Sequence, residues 1–292
     1  MTNSSDQARE LTPGEKIIAE WRASTRAQQL YKSLEPMAQL GKLLVILAFI
    51  VLWWQTYEQG WINPSFIGSP SGVWTWFVDN WDNGEVWRDI RVTLSEAFWG
   101  WILGSSTGLL AGLVVARYRF LWKITSPLFT FFNAVPRTAL APIFILWFGI
   151  AQTGKILLAA SIVFFIVMIP TRAAADMVDP DLDMVMITMG GTERHRFLKV
   201  TLPSVLTSVF GAIRLASVWA LLGASYAELF GAKYGLGLRY IAATNVLNMS
   251  EAFAVTAVIA FLAIIINALV GLLEKRLMRW QSNSTKGSVL TI

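Results

Sequence analysis

Six long apolar segments set the first constraint on how this chain can fold. Most of them run for roughly 18 residues or more, about the length that a helix needs to cross the hydrocarbon core of a bilayer at 1.5 Å per residue. With 55% hydrophobic and 15% charged residues, the chain is also too apolar for an ordinary water-soluble domain. The sequence therefore predicts an all-α, polytopic membrane protein with about six transmembrane helices. The predicted spans are Leu40 to Tyr57, Val92 to Ala116, Ile124 to Phe148, Lys155 to Pro170, Val205 to Phe230 and Ala252 to Leu273.

The basic residues predict which side of the membrane each end faces. Lysine and arginine are retained on the cytoplasmic side of membrane proteins. With both termini inside, most of the 24 lysines and arginines become cytoplasmic, whereas the first external loop holds four acidic residues before Arg88. We therefore expect a multi-pass membrane protein whose N- and C-termini are cytoplasmic. Residues 1–39 would form a cytoplasmic arm, 40–280 the transmembrane domain and 281–292 a cytoplasmic tail.

Residue content excludes several functional classes. The chain has no cysteine, and its one histidine, His195, lies between two arginines, which favours a solvated position over a metal site. The lysines and arginines behind the net charge of +5 form no patch typical of nucleic-acid binding. The stretch from Gly149 to Ile156 nearly matches a phosphate-binding loop, but Ile156 replaces the serine or threonine that holds magnesium. We interpret that stretch as a short external turn, and we expect no enzyme activity and no cofactor or metal bound by this chain.

The longest internal polar stretch, residues 172–203, is the predicted functional segment. Its nine charged residues keep it out of the hydrocarbon. Gly190 permits a sharp turn between two short helices. Pro203 suits a helix start, because its missing N–H would be unpaired there anyway.

The spacing within this segment carries a family resemblance. Gly190 is followed, after nine residues, by the aliphatic residue Val200, then by one further residue, and then by Leu202 and Pro203. This spacing resembles the signature cytoplasmic loop of permeases in binding-protein-dependent ABC importers. The resemblance implies a type I importer permease fold, in which the loop forms a coupling helix that docks on an ATP-hydrolysing subunit. The family's opening Glu-Ala-Ala falls on Met184, Val185 and Met186, so its acidic residue is missing, although Asp181 and Asp183 lie nearby. The residues that the resemblance places at the ATPase contact are Gly190, Gly191, Thr192, Glu193, Val200, Leu202 and Pro203.

The third span carries a second match. The stretch from Asn133 to Pro142, followed by Ile145 to Ile150, resembles permeases that serve nitrate, bicarbonate, taurine and other sulfonates, and some aromatic or vitamin-precursor substrates. Pro136 and Pro142 each remove a backbone donor, which inside a bilayer is tolerated where the backbone is buried in protein or lines a wet cavity. We therefore expect this span to border the translocation path.

Charged residues inside the spans are candidates for moving an anion. Glu96, Arg137, Arg214 and Glu228 fall within predicted spans, where a charge faces the protein interior or lies near an interface. Arg137 and Arg214 are the candidates for drawing an anion through, and the alternative for both is pairing with an acidic residue or snorkelling to the surface. The predicted path residues are Asn133, Pro136, Arg137, Pro142 and Arg214.

A glycine repeat in the second span predicts a packing surface. Gly100, Gly104, Gly108 and Gly112 recur every four residues and therefore line one face of a helix. Small residues of this kind let two helices approach closely. Packing within the chain is the expected use, and pairing between subunits is the alternative.

The resemblance also implies a bacterial plasma (inner) membrane as the location, and several partners. A homodimer of such permeases, embedded in membrane lipid, would be bound to two ATPase subunits that carry ATP and Mg²⁺, while an extracytoplasmic binding protein, periplasmic or lipid-anchored, delivers a small, anionic solute. The alternative is a secondary transporter or channel that works without an ATPase. That alternative predicts internal repeats and transport by the purified chain alone.

Overall fold

The computed structural model describes residues 37–82 and 84–278, which fall into two compact units that divide after Asn63. The predicted cytoplasmic tail and all but three residues of the predicted arm lie outside the described residues. The first unit contributes α1 (Met37–Glu58), which has the length and hydropathy of a membrane span.

The second unit is built entirely from helices in the part of the chain that the structure describes. A 3₁₀ turn, Arg137–Leu140, precedes α6, and a π-helical segment, Phe197–Thr201, joins α9 to α10. The helices in chain order are α2 (Pro64–Ile67), α3 (Pro70–Asn80), α4 (Gly84–Arg117), α5 (Arg119–Ala134), α6 (Ala141–Phe148), α7 (Gln152–Asp176), α8 (Pro180–Thr188), α9 (Glu193–Arg196), α10 (Leu202–Phe230), α11 (Leu236–Asn245) and α12 (Met249–Leu277).

Each predicted span corresponds to a helix or a helix pair. Five described segments are long and apolar enough to cross a membrane: α1, α4, α7, α10 together with α9, and α12. The pair α5 and α6 makes a sixth crossing if it is counted as one span. The predicted all-helical membrane fold is therefore confirmed.

The third span is bent where the sequence predicts a break. α5 and α6 meet at an angle of 80°. The chain leaves the α-helical conformation at Val135 and Pro136, whose ψ angles are 126° and 98°. Pro142 does not add a second break, because it lies in the first turn of α6, where a missing N–H costs nothing.

The core of the second unit lies between α4, α7 and α10. Buried Val163 and Val167 of α7 pack with Ala97 and Leu113 of α4 and with Leu221 of α10. The glycine repeat of α4 faces α7: a Cβ at Gly104 would lie 2.6 Å from the backbone oxygen of Ala160, and one at Gly108 would lie 2.5 Å from that of Phe164. The prediction of close packing within the chain is confirmed, and this surface is therefore occupied before any second subunit arrives.

Buried charges join these helices near the end opposite α8. Lys155 donates to the Glu96 Oε1 at 2.9 Å, and both side chains are buried. Glu228 is also fully buried, and it accepts from the Thr93 hydroxyl at 2.7 Å and from the Gly237 N–H at 2.6 Å. The expectation that Glu96 and Glu228 face the protein interior is thus confirmed.

The prediction of a turn over Gly149 to Ile156 is correct only for residues 149–151, and its external position stays a prediction. Gly149, with φ of +77°, ends α6, but α7 already begins at Gln152. Lys155 therefore belongs to a spanning helix, where its charge is matched by Glu96 on α4. The turn interpretation was wrong for residues 152–156, whereas the predicted fourth span already included Lys155. Its partner could not be foreseen, because Glu96 lies 59 residues away in the chain.

Candidate coupling site and translocation path

The predicted functional segment folds as a helical hairpin at one end of the bundle. Its first arm, α8, is capped by Asp179, whose carboxylate accepts from the Asp181 N–H at 2.9 Å. Its second arm is α9 followed by the π-helical segment. The two arms are joined by residues 189–192, so the predicted turn between two short helices is confirmed.

Two adjacent glycines serve this turn for different reasons. Gly190 has φ of +74°, a left-handed conformation that side chains rarely adopt, although a Cβ there would meet no atom within 4 Å. Gly191 is required by space, because a Cβ there would lie 2.7 Å from the Met186 carbonyl oxygen. That same oxygen accepts from the Gly191 N–H at 2.8 Å, which closes the turn.

The start of α9 is capped by Thr192. Its hydroxyl accepts from the His195 N–H at 3.4 Å, and Glu193 adds an acidic residue in the first turn, where the helix dipole favours it. His195 is exposed, as its flanking arginines predicted.

The first arm exposes apolar side chains. Every residue of α8 is described, and none is buried. Exposed apolar side chains grouped on one short helix of a polar hairpin are typical of a protein interface. The exposed apolar residues, which we call the α8 face, are Leu182, Met184, Val185, Ile187 and Met189.

Two ion pairs hold the hairpin. The guanidinium of Arg196 on α9 pairs through two nitrogens with both carboxylate oxygens of Asp183 on α8. Glu193, one turn before Arg196, pairs with Arg117 at the end of α4, with 2.9 Å between Oε2 and Nη2. The hydrogen bonds from Arg196 hold the pKa of the Asp183 carboxyl below its usual value.

The remaining signature residues lie at the base of the hairpin. Val200 is buried, Leu202 packs partly buried against the core cluster, and Pro203 lies in the first turn of α10. Their side chains therefore connect the hairpin to the transmembrane core, whereas the residues of the α8 face are exposed.

The predicted path residues cluster only in part. Asn133 and Arg137 lie on either side of the bend at Pro136, and the Arg137 Nη2 donates to the Asn133 Oδ1 at 3.1 Å and to the Phe132 carbonyl oxygen at 3.0 Å. The same guanidinium lies 4.2 Å above the Phe165 ring of α7, a cation–π contact.

Arg214 belongs to a different contact set. It joins α10 to α12, because its Nε donates to the Asn267 Oδ1 at 2.8 Å and its Nη1 lies 3.7 Å from the Glu274 Oε2. The geometry thus shows the pairing with an acidic residue that was the alternative for this arginine.

One charged cluster was not foreseen from the sequence. Arg239 of α11 pairs with Asp89 of α4, with 2.9 Å between Nε and Oδ2, and with Glu251 of α12 at 3.4 Å. The Asp89 Oδ1 also accepts from the Gly235 N–H at 3.2 Å. These contacts fix α11 between the spans, and they join residues that are far apart in the chain, so no local pattern signals them.

The chain is similar to known proteins in sequence and in fold. Residues 104–281 match the family described as binding-protein-dependent transport system inner membrane component. The chain is 30% identical over 247 residues to a permease protein from Bacillus subtilis named for aliphatic sulfonate transport, covering 84% of this chain and 89% of that protein. It is 31% identical over 264 residues to a riboflavin transport system permease protein from Chloroflexus aurantiacus, covering 90% and 97%. An inward-facing methionine ABC transporter structure matches with a TM-score of 0.59 and 18% identity, covering 67% of this chain and 98% of that one.

This chain belongs to the binding-protein-dependent family of inner membrane transport components, the permease subunits of ABC importers. It is a multi-pass membrane subunit and is not itself an enzyme. The family resemblance predicted from the loop spacing is thus confirmed.

Proposed function

We propose that two copies of this chain form the membrane path of an ATP-driven importer, with one ATPase subunit docked on the α8 face of each copy. The observation that carries the proposal is the exposed apolar surface on α8, which lies on a charged hairpin and has no use in packing the bundle. ATP and Mg²⁺ would be held by the ATPase. ATP-driven closure of the two ATPase subunits would move the hairpins and switch the path between its outward-open and inward-open states.

A co-purification experiment tests this proposal. The tagged chain, isolated from its native membrane, is expected to carry an ATPase and a second, untagged copy. Val185→Asp places a charge on the α8 face and should release the ATPase while the chain remains folded. Asn245→Asp, which adds the same charge at an exposed position at the other end of the bundle, should retain it. Transport by the purified chain alone would favour the secondary transporter instead.

The orientation is part of the proposal. With α8 in the cytoplasm, the turn between α11 and α12 faces outward, and the chain termini lie inside. Because the sequence has no cysteine, single cysteines can report on each side. A membrane-impermeant maleimide applied to spheroplasts should label Val246→Cys, which is 74% exposed, and leave Met184→Cys, which is 61% exposed, unlabelled. The reverse pattern would invert the topology.

We infer further that the solute is a small anion, such as a sulfonate, delivered by an extracytoplasmic binding protein. The permease named for aliphatic sulfonate transport supports this, as does Arg137, whose cationic group lies at the bend of the third span. The similarity to the riboflavin transport permease argues against an anionic solute, because riboflavin carries no net charge. A thermal-shift screen of the co-purifying binding protein with methanesulfonate, taurine and riboflavin distinguishes a sulfonate solute from riboflavin. Stabilisation by riboflavin alone would overturn the anion assignment.

A further inference from the structure

The ion pairs of the hairpin connect a surface helix to the transmembrane core. α8 buries none of its described residues, so apolar packing holds it only weakly. Its neighbour α9 is a single turn long, but it continues through the π-helical segment into α10, and buried Val200 lies in that segment. A force applied at α8 can therefore reach α10 through α9, in addition to the direct chain link from α7 through residues 177–179.

Two contacts provide that route. Asp183 pairs with Arg196, which joins α8 to α9, and Glu193 pairs with Arg117, which joins α9 to the end of α4. Arg196 and Glu193 are three residues apart, so both contacts depend on the same helical turn. A small polar cavity of about 240 Å³ lies beneath them, lined among others by these four side chains.

We propose that the Asp183–Arg196 and Glu193–Arg117 pairs, taken together, are a positioning relay that transmits movement of α8 to α4 and α10. In this relay Asp183 supplies the carboxylate that the family pattern has at the position of Met184. Transmission of movement through the relay depends on the proposed docking of an ATPase at the α8 face. The positioning of α8 by Asp183 does not depend on that docking.

These ion pairs can position α8 without adding much to the stability of the bundle. All four side chains are partly or largely exposed, and exposed ion pairs contribute little to the free energy of folding. Loss of Asp183 should therefore leave the unfolding temperature of the bundle almost unchanged. It should instead allow α8 to take several positions relative to α4.

A spin-label distance measurement tests the placement of α8 without any partner. Labels are attached at Met184→Cys on α8 and Leu110→Cys on α4, both exposed, in full-length protein diluted with unlabelled copies. The Asp183→Asn variant is expected to broaden the distance distribution about twofold, as for a segment released from a tether. Asp181→Asn, which removes a carboxylate two residues away on the same helix, should leave it narrow, and the exchange Asp183→Arg with Arg196→Asp should restore it.

A coupling measurement tests transmission in the complete complex. For Asp183→Asn we expect the stimulation of ATP hydrolysis by the loaded binding protein to fall about 3- to 30-fold, with the ATPase still bound. The exchange Asp183→Arg with Arg196→Asp should recover most of that loss. Unchanged distances and unchanged stimulation in Asp183→Asn would overturn the relay. If the wild-type chain bound no ATPase, the proposed function would fail, whereas the distance result would still stand.

Discussion

The Lys155 ammonium lies 2.9 Å from the Glu96 carboxylate in the interior of the bundle, where the two side chains are 3% and 0% exposed. The pair ties α7 to α4 beside the fully buried Glu228. Removing one partner of a buried ion pair leaves an uncompensated charge, which costs about 3–5 kcal/mol.

Lys155→Met should therefore destabilise the protein strongly, by about 3–5 kcal/mol, and lower the yield of folded protein. Thermal unfolding in detergent measures the change. Lys123→Met, at an exposed position on α5, is the matched control and should unfold at nearly the wild-type temperature. Adding Glu96→Gln to Lys155→Met should recover part of the loss, and a double variant no better than the single one would argue against the pairing as its cause.

A second prediction concerns the contact between α4 and α7. Gly108→Ala would place a Cβ 2.5 Å from the Phe164 backbone oxygen, so the helices must separate, at a cost of about 1–3 kcal/mol. Gly211→Ala is the matched control in α10, because a Cβ there meets nothing within 4 Å. Gly108→Leu should prevent folding altogether. If Gly108→Ala unfolded at the wild-type temperature and only weakened pairing of two copies, the glycine repeat would serve contact between subunits instead.

The hairpin turn gives a third prediction, which rests on the proposed function. Gly190→Val forces a β-branched residue into a left-handed conformation, which costs about 1–2 kcal/mol, although nothing collides with its side chain. We expect more ATP hydrolysed per solute imported. Asparagine tolerates this conformation, so Gly190→Asn should couple nearly normally. Equal stoichiometry in wild-type and Gly190→Val complexes would refute a role for the turn in coupling.

The pH dependence of the hairpin follows from the lowered pKa of Asp183. Because the pKa in the folded protein is below the unfolded value of about 3.9, the stabilisation by the pair is fully present above that value. It is lost as the pH falls through the folded pKa. The distance between labels on α8 and α4 should therefore remain unchanged from about pH 8 to pH 5 and broaden in stronger acid. The Asp183→Asn protein should show no such transition, and broadening near neutral pH in the wild type would contradict the assignment.

The spans could be predicted from the sequence because each depends on a local property. A run of apolar residues has no alternative in lipid to a helix, and Pro136 breaks that helix wherever it packs. The turn at Gly190 and the helix start at Pro203 are local in the same sense. The spacing of the glycine repeat indicated which face of α4 packs closely, but not that its partner is α7. Small residues serve contacts within and between chains equally well.

The charged contacts could not be predicted because their partners are distant in the chain. Arg214 and Lys155 are isolated cations in the sequence, and only the fold brings Glu274 and Glu96 to them. Asp183 was noted for its closeness to Met184, whereas its partner Arg196 becomes visible only once the turn folds α9 back against α8. The helix α11 was missed for a related reason, since it is short and is held by side chains from three other helices.

The exposed α8 has a thermodynamic consequence for assembly. Isolated short helices are only marginally stable in water, and tertiary packing normally supplies what they lack. The pair with Arg196 sets the position of α8, but its apolar packing must come from outside the bundle, so a bound partner raises the stability of the permease by linkage. A copy made in excess of its ATPase should consequently be cut first by proteases between Met177 and Thr192, and survival of the segment should measure how many copies are in complex.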